Sequence, residues 1–175
     1  AADAPASDEV MEEIVVTAVA QPTNRLDSSV STSSLDLSAV SNLAARSTQE
    51  VFRSLPGIRA ESSGGEGNAN ITIRGIPLAT GGSKYLQIME DGLPVLEFGD
   101  LNFANIDNFV RYDGSVQRIE SVRGGSASTF ASNSPGGIIN FISNHGEKPG
   151  GVVGASVGLD YREVRTDFSY GGKLA

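Results

Sequence analysis

Apolar and polar positions alternate on short periods along most of this chain, and the most informative pattern lies at residues 116–143, VQRIESVRGGSASTFASNSPGGIINFIS. Ile119 and Val122 stand among Arg118, Glu120 and Arg123, as on a strand or short helix. A Gly124-Gly125 break follows, then small residues at 126–134, then a Pro135-Gly136-Gly137 turn. The glycines allow sharp reversals that side chains would forbid. Residues 138–142, Ile-Ile-Asn-Phe-Ile, are β-branched and aromatic, which predicts a buried strand.

The same reading sets out the rest of the chain. A weak strand is predicted around 28–33. A helix over 37–45 collects Leu37, Val40, Leu43 and Ala44 on one side. Ser47-Thr48-Gln49-Glu50 is a capping-box pattern that opens a second helix, with Val51, Phe52 and Leu55 as its stripe and Pro56-Gly57 as its stop. Strands are predicted at 58–61, at 71–76, where apolar and polar residues alternate, and at 85–89. Asp91-Gly92 signals a turn. Polar or aromatic loops fill 62–70, 77–84 and 95–113. Beyond a linker at 144–151, residues 152–161 are small and apolar, with Gly154 and Gly158, and 166–174 alternate, which predicts a hairpin.

Composition narrows the function. The chain has 175 residues, 39% hydrophobic and 19% charged, enough apolar content for one core. Its 21 glycines and 7 prolines suit a turn-rich fold rather than a helical bundle. A net charge of −8 argues against nucleic acid, which calls for a basic face. Without cysteine there is neither a disulfide framework nor a thiolate metal site. No run approaches the roughly 18 apolar residues of a membrane helix. Residues 1–11 are acidic and small and are expected to be disordered. No catalytic constellation emerges. His145 stands alone in a linker, Ser126 lacks the closing glycine of a nucleophile elbow, and the Gly65–Gly67 stretch lacks the third glycine of a dinucleotide fingerprint. No cofactor or metal is expected.

The long central pattern also resembles a family signature. Arg118-Ile119-Glu120, then Arg123-Gly124, then Gly136 to Asn140 are similar to the motif of the plug domain of TonB-dependent outer-membrane receptors. Ile73-Arg74-Gly75, the helix ending Ser-Leu-Pro-Gly-Ile at 54–58, and Glu90-Asp91-Gly92-Leu93-Pro94 fit it as well. One departure is Gly125, where the family usually carries proline. The resemblance implies an α+β fold with a small mixed sheet and short helices at 35–145, reached through a linker at 19–34. It also implies the first strands of a transmembrane β-barrel at 146–175, where outward apolar and inward polar residues alternate over about ten positions. A 22-stranded barrel needs several hundred residues, so the chain is expected to hold a plug and a barrel stub.

Function then follows as expectation. Glu12, Glu13, Ile14, Val15, Val16, Thr17 and Ala18 look like the TonB box, the peptide that adds as a strand to the TonB C-terminal domain. Arg74 and Arg123 match the two arginines that lock the plug to glutamates of the barrel wall; a competing reading pairs them with Glu90 or Glu120 inside the plug. Asn68, Ser83, Lys84, Phe103, Phe109 and Tyr112 are candidate contacts for a small nutrient. The implied partners are TonB with its energising complex, the rest of the barrel, the nutrient and the outer membrane. The chain is expected not to be an enzyme. The alternative is a stand-alone periplasmic or secreted binding module with a plug-like fold and no transport.

Overall fold

The computed structural model describes residues 15–16, 23–24, 30–43, 45, 47–62, 69–76, 85–95, 110, 112–124, 127, 135–147, 149–160 and 162–173. The strands are β1 (Val15–Val16), β2 (Thr23–Asn24), β3 (Ser31–Asp36), β4 (Ile58–Ser62), β5 (Ala69–Ile73), β6 (Leu86–Glu90), β7 (Leu93–Pro94), β8 (Val116–Arg123), β9 (Gly137–Ser143), β10 (Gly150–Val157) and β11 (Val164–Gly171). Two short helices, α1 (Leu37–Asn42) and α2 (Thr48–Arg53), stand between β3 and β4.

Five strands form one sheet in the order β3-β8-β9-β6-β7. β6 runs parallel to β9, and the other neighbours are antiparallel, so the sheet is mixed. Its register separates two faces. One presents Leu86, Ile88, Ile139, Phe141 and Ile119 to Val51, Phe52 and Leu55 and to the inward residues of the β4–β5 hairpin. Phe52 meets Phe141 edge to face, with ring centroids 6.2 Å apart. The other face carries Met89, Ile138 and Val122, which cluster with Ala127 and Val30. Because both faces are covered, β9 is apolar nearly throughout rather than alternating.

The polar residues on the second face follow the same logic. Glu120 is buried, and its carboxylate accepts from Arg118 Nε at 2.8 Å. Asn140, opposite Glu120 in the ladder, accepts from the Gly92 backbone N–H at 3.0 Å through Oδ1. That bond ties the sheet to the Asp91-Gly92 turn, whose two residues have φ of 50° and 82°. Such positive angles are what joins β6 to β7 tightly.

Of the two readings of residues 116–123, strand or short helix, the structure takes the strand. Other local expectations are corrected. The strand predicted over 71–76 ends at Ile73, because Arg74 and Gly75 turn with φ of 48° and 73°. Ser47 sits at the N-cap of α2, but its buried hydroxyl makes no cap bond, so the capping box is not formed. Gly136 and Gly137 are needed for space rather than for reversal. A Cβ at Gly137 would lie 2.4 Å from Ile73 Cδ1 and 2.6 Å from the Val122 carbonyl oxygen.

β10 and β11 form a separate antiparallel hairpin. Val153, Val157, Val164, Phe168 and Tyr170 point outward and are exposed; Phe168 is 79% accessible. The opposite face carries Arg165, Asp167 and Ser169 and turns toward the sheet: a Cβ on Gly114 would strike the Ser169 side chain. Among the described residues no helix is long and apolar enough to cross a membrane, which leaves strands untouched as a means of crossing.

Candidate functional site

Two turns converge at the end of the sheet where β8 stops. β5 ends at Ile73, and the Arg74 backbone N–H donates to the Gly57 carbonyl at 2.8 Å. β8 ends at Arg123, and Gly124 (φ 91°) turns the chain away. A Cβ on Gly124 would lie 2.8 Å from Arg74 Nη1, and one on Gly57 would lie 3.3 Å from Arg123 Cδ and 3.8 Å from Arg74 Cγ. Glycine at these positions lets two arginine side chains, 49 positions apart in sequence, lie against backbone. The two candidate lock residues are therefore brought to one corner.

Arg123 is buried, at 8% accessibility, and its acceptors are neutral. Nε donates to Ser31 Oγ at 3.2 Å, Nη2 to Ser31 Oγ at 3.1 Å and to the Thr32 carbonyl at 3.2 Å. Nη1 donates to Ser33 Oγ at 2.8 Å, to the Pro56 carbonyl at 2.9 Å and to Ser121 Oγ at 3.4 Å. Among the described residues neither Arg123 nor Arg74 lies within ion-pair distance of a carboxylate. The competing reading in which Glu120 serves them inside the domain is not what the geometry shows, since the ion pair of Glu120 is with Arg118. Burial, and then the nearby charge of Arg74, hold the Arg123 pKa below the usual guanidinium value. Hydroxyls and carbonyls satisfy the N–H groups, yet they leave the charge uncompensated, and a buried cation is stable only with strong partners. The corner thus places the buried Arg123 guanidinium beside the exposed Arg74.

The other predicted residues are distributed differently. Val15 and Val16 form β1 and pair with β2, in the register Val15↔Asn24 and Val16↔Thr23. Glu12, Glu13, Ile14, Thr17 and Ala18 lie outside the described residues, as do Asn68, Ser83, Lys84, Phe103 and Phe109. Tyr112 is described: its hydroxyl donates to the Ala45 carbonyl at 2.9 Å, and the Arg165 guanidinium lies 5.7 Å from its ring centroid. It links core, helix region and hairpin. Sequence reasoning missed Ser31, Ser33 and Ser121 around Arg123; the signal for Ser31 and Ser33 was the Ser/Thr-rich stretch of the predicted strand, and Ser121 had none.

The family description "TonB-dependent Receptor Plug Domain" matches residues 24–138. The chain belongs to this family. The plug family serves transport, and it is not an enzyme family. The vitamin B12 transporter BtuB of Vibrio cholerae serotype O1 is 31% identical over 163 residues, covering 87% of this chain and 24% of the relative. The chain thus spans about a quarter of the curated relative's length. Two solved structures share the fold. The ferric yersiniabactin uptake receptor FyuA from Yersinia pestis superposes with a TM-score of 0.66 at 23% identity, over 83% of this chain and 22% of that one. The ferripyoverdine receptor of the outer membrane of Pseudomonas aeruginosa gives 0.67 at 17% identity, over 92% and 20%.

Proposed function

We propose that this chain is the plug portion of a TonB-dependent receptor that takes up a scarce nutrient across the outer membrane of a Gram-negative bacterium. The plug closes the barrel lumen, contributes to nutrient binding from outside, and couples to TonB through residues 12–18 on the periplasmic side. The observation that carries the reading is the Arg74–Arg123 corner, where two cations meet with no carboxylate among the described residues. Glutamates on the inner barrel wall supply that missing charge and seat the plug. Removing one partner of such a buried pair costs about 3–5 kcal/mol.

The β10–β11 hairpin supports the same reading. Its polar face is turned toward the plug and its apolar face outward, the arrangement of barrel strands between a lumen and lipid. We assign it as the first hairpin of the barrel. Relatives named for vitamin B12, ferric yersiniabactin and ferripyoverdine support nutrient uptake as the purpose.

Binding of this chain to an isolated TonB C-terminal domain tests the coupling role. We expect binding that disappears on deletion of residues 12–18 and in Val16→Pro, because proline removes a ladder donor from the added strand. Binding unaffected by both changes would remove the TonB-box assignment. No binding by the intact chain would favour a stand-alone binding module.

A further inference from the structure

The chain contains two Asp-Gly steps, Asp91-Gly92 and Asp113-Gly114. In such a step the glycine nitrogen can attack the carboxyl carbon of the preceding aspartate. Glycine favours the attack because it has no Cβ in the way and rotates freely. The reaction needs a nitrogen free of any acceptor and a carboxyl carbon folded back toward it. The structure treats the two steps in opposite ways.

At Asp91-Gly92 the nucleophile is occupied. The Gly92 N–H donates to Asn140 Oδ1 at 3.0 Å. The Asp91 N–H donates to the Phe141 carbonyl at 2.9 Å, and Asp91 Oδ1 accepts from the Ser143 N–H at 2.8 Å. Both residues have positive φ, in a turn closed by the Glu90↔Leu93 pair. Nitrogen, carboxyl and torsion are therefore all fixed, chiefly by β9.

At Asp113-Gly114 only the carboxyl is held. Asp113 Oδ1 accepts from the Ser115 N–H at 2.9 Å and from Ser115 Oγ at 2.6 Å. These bonds fold the carboxyl back over the backbone that follows it, and they draw electron density from its carbon. Among the described residues the Gly114 N–H has no acceptor. A groove of about 290 Å³, lined by Asp113, Gly114, Ser115 and facing residues of the hairpin, admits water to the step.

We propose that Asp113-Gly114 is a self-modification site, where the Gly114 nitrogen closes a succinimide on Asp113, and that Asn140 protects Asp91-Gly92 from the same reaction. In ring closure the bond from the Gly114 nitrogen to Asp113 Cγ forms. One carboxyl oxygen leaves as water, with the N–H proton and the carboxyl proton. Water then opens the ring. Cleavage of the Cγ–N bond restores aspartate. Cleavage between the Asp113 main-chain carbonyl carbon and the nitrogen leaves isoaspartate, whose main chain has gained one methylene. That methylene enters where space is least, since a Cβ on Gly114 would lie 2.7 Å from Ser169 Cβ. Tyr112, the neighbouring residue, carries the contact with Arg165. The product therefore separates the β10–β11 hairpin from the sheet. None of this depends on the receptor reading.

Peptide mapping of the intact chain aged in oxygen-18 water reads both steps in one sample, because each ring opening leaves a heavy oxygen. In the folded chain, label and isoaspartate should collect at Asp113 at least about fivefold faster than at Asp91, the factor of one ordinary hydrogen bond of about 1 kcal/mol. In guanidinium chloride, where neither turn persists, the two rates should converge. Equal rates in the folded chain, or a ratio that survives unfolding, would overturn the proposal, because sequence alone would then set them. Asn140→Ala that retains β8–β9 amide protection should raise the Asp91 rate toward that of Asp113; an unchanged rate would remove Asn140 as the guard. Should the variant lose that protection, the folded-against-unfolded ratio of the parent decides alone. Chain carrying isoaspartate at 113, separated by chromatography, should lose the ring-current shift of Arg165 over Tyr112. A retained shift would overturn the separation of the hairpin.

Discussion

β9 and β11 are strands of 7 and 8 residues in one chain, and their side chains meet opposite surroundings. In β9 every residue but the last is buried, including Ile138, Ile139, Phe141 and Ile142. In β11 burial alternates, and the exposed positions are Val164 at 75%, Thr166, Phe168 at 79% and Tyr170 at 74% accessibility, three of them apolar. A hairpin shaped by water alone would turn those residues inward and leave Arg165 and Asp167 outside. The contrast teaches that hydrophobic content does not decide where a strand sits; the medium on each face does. β9 has protein on both sides. β11 turns its polar side toward Tyr112 and Gly114 and leaves its apolar side exposed.

The largest effect that sharpens this comparison comes from its two phenylalanines. Phe141→Ala removes a ring packed against Phe52, so urea unfolding should show a loss of about 3–5 kcal/mol. Phe168→Ala should change aqueous stability by less than about 0.5 kcal/mol, since that ring touches little protein. Equal losses would mean that the outward face of the hairpin is packed in solution, and the contrast would fail.

The glycines give a smaller and more local version. A Cβ at Gly137 collides with Ile73 Cδ1 and with the backbone oxygen of Val122, while one at Gly150 meets nothing within 4 Å. Gly137→Ala should cost about 1–3 kcal/mol, the range of an overpacked core. Gly150→Ala should lie within about 0.5 kcal/mol of the parent. A neutral Gly137→Ala would show that Ile73 can withdraw, and that the glycine serves the chain reversal first expected of it.

The difference between those glycine roles shows what the sequence could disclose. β8, β9, the β4–β5 pair and the final hairpin were legible because their periods are local and each face has one environment. α2 was legible from Val51, Phe52 and Leu55, yet its capping box was not realised, since Ser47 is buried with its hydroxyl unbonded. Arg74 and Arg123 were legible as a pair only through family resemblance. The acceptors around Arg123 were not legible at all: Ser31 is 92 positions away, and neutral hydroxyls leave no charge pattern to follow. Likewise nothing local announces that Gly137 lies under Ile73. Long-range close packing has no period.

The smallest expected effect lies at the Asp91 turn, where the sheet has an acid-sensitive end. Asp91 Oδ1 accepts from the Ser143 backbone N–H at 2.8 Å, tying the β6–β7 turn to the end of β9, and His145 Nε2 stands 3.9 Å away. Burial pushes the carboxyl pKa up, but the Ser143 bonds and the charge of His145 outweigh it, and the net shift is downward from 3.8. The unfolded chain therefore binds the proton more readily than the folded one. The stabilisation is fully present above 3.8 and is lost as pH falls through the lower folded value. Asp91→Asn tolerates the same left-handed backbone and removes the titration. The stability difference between parent and variant should be present at about pH 5 and should shrink below about pH 4. A difference that persists unchanged into acid would show that the turn is held by its backbone geometry and by Asn140, with the Asp91 charge contributing nothing.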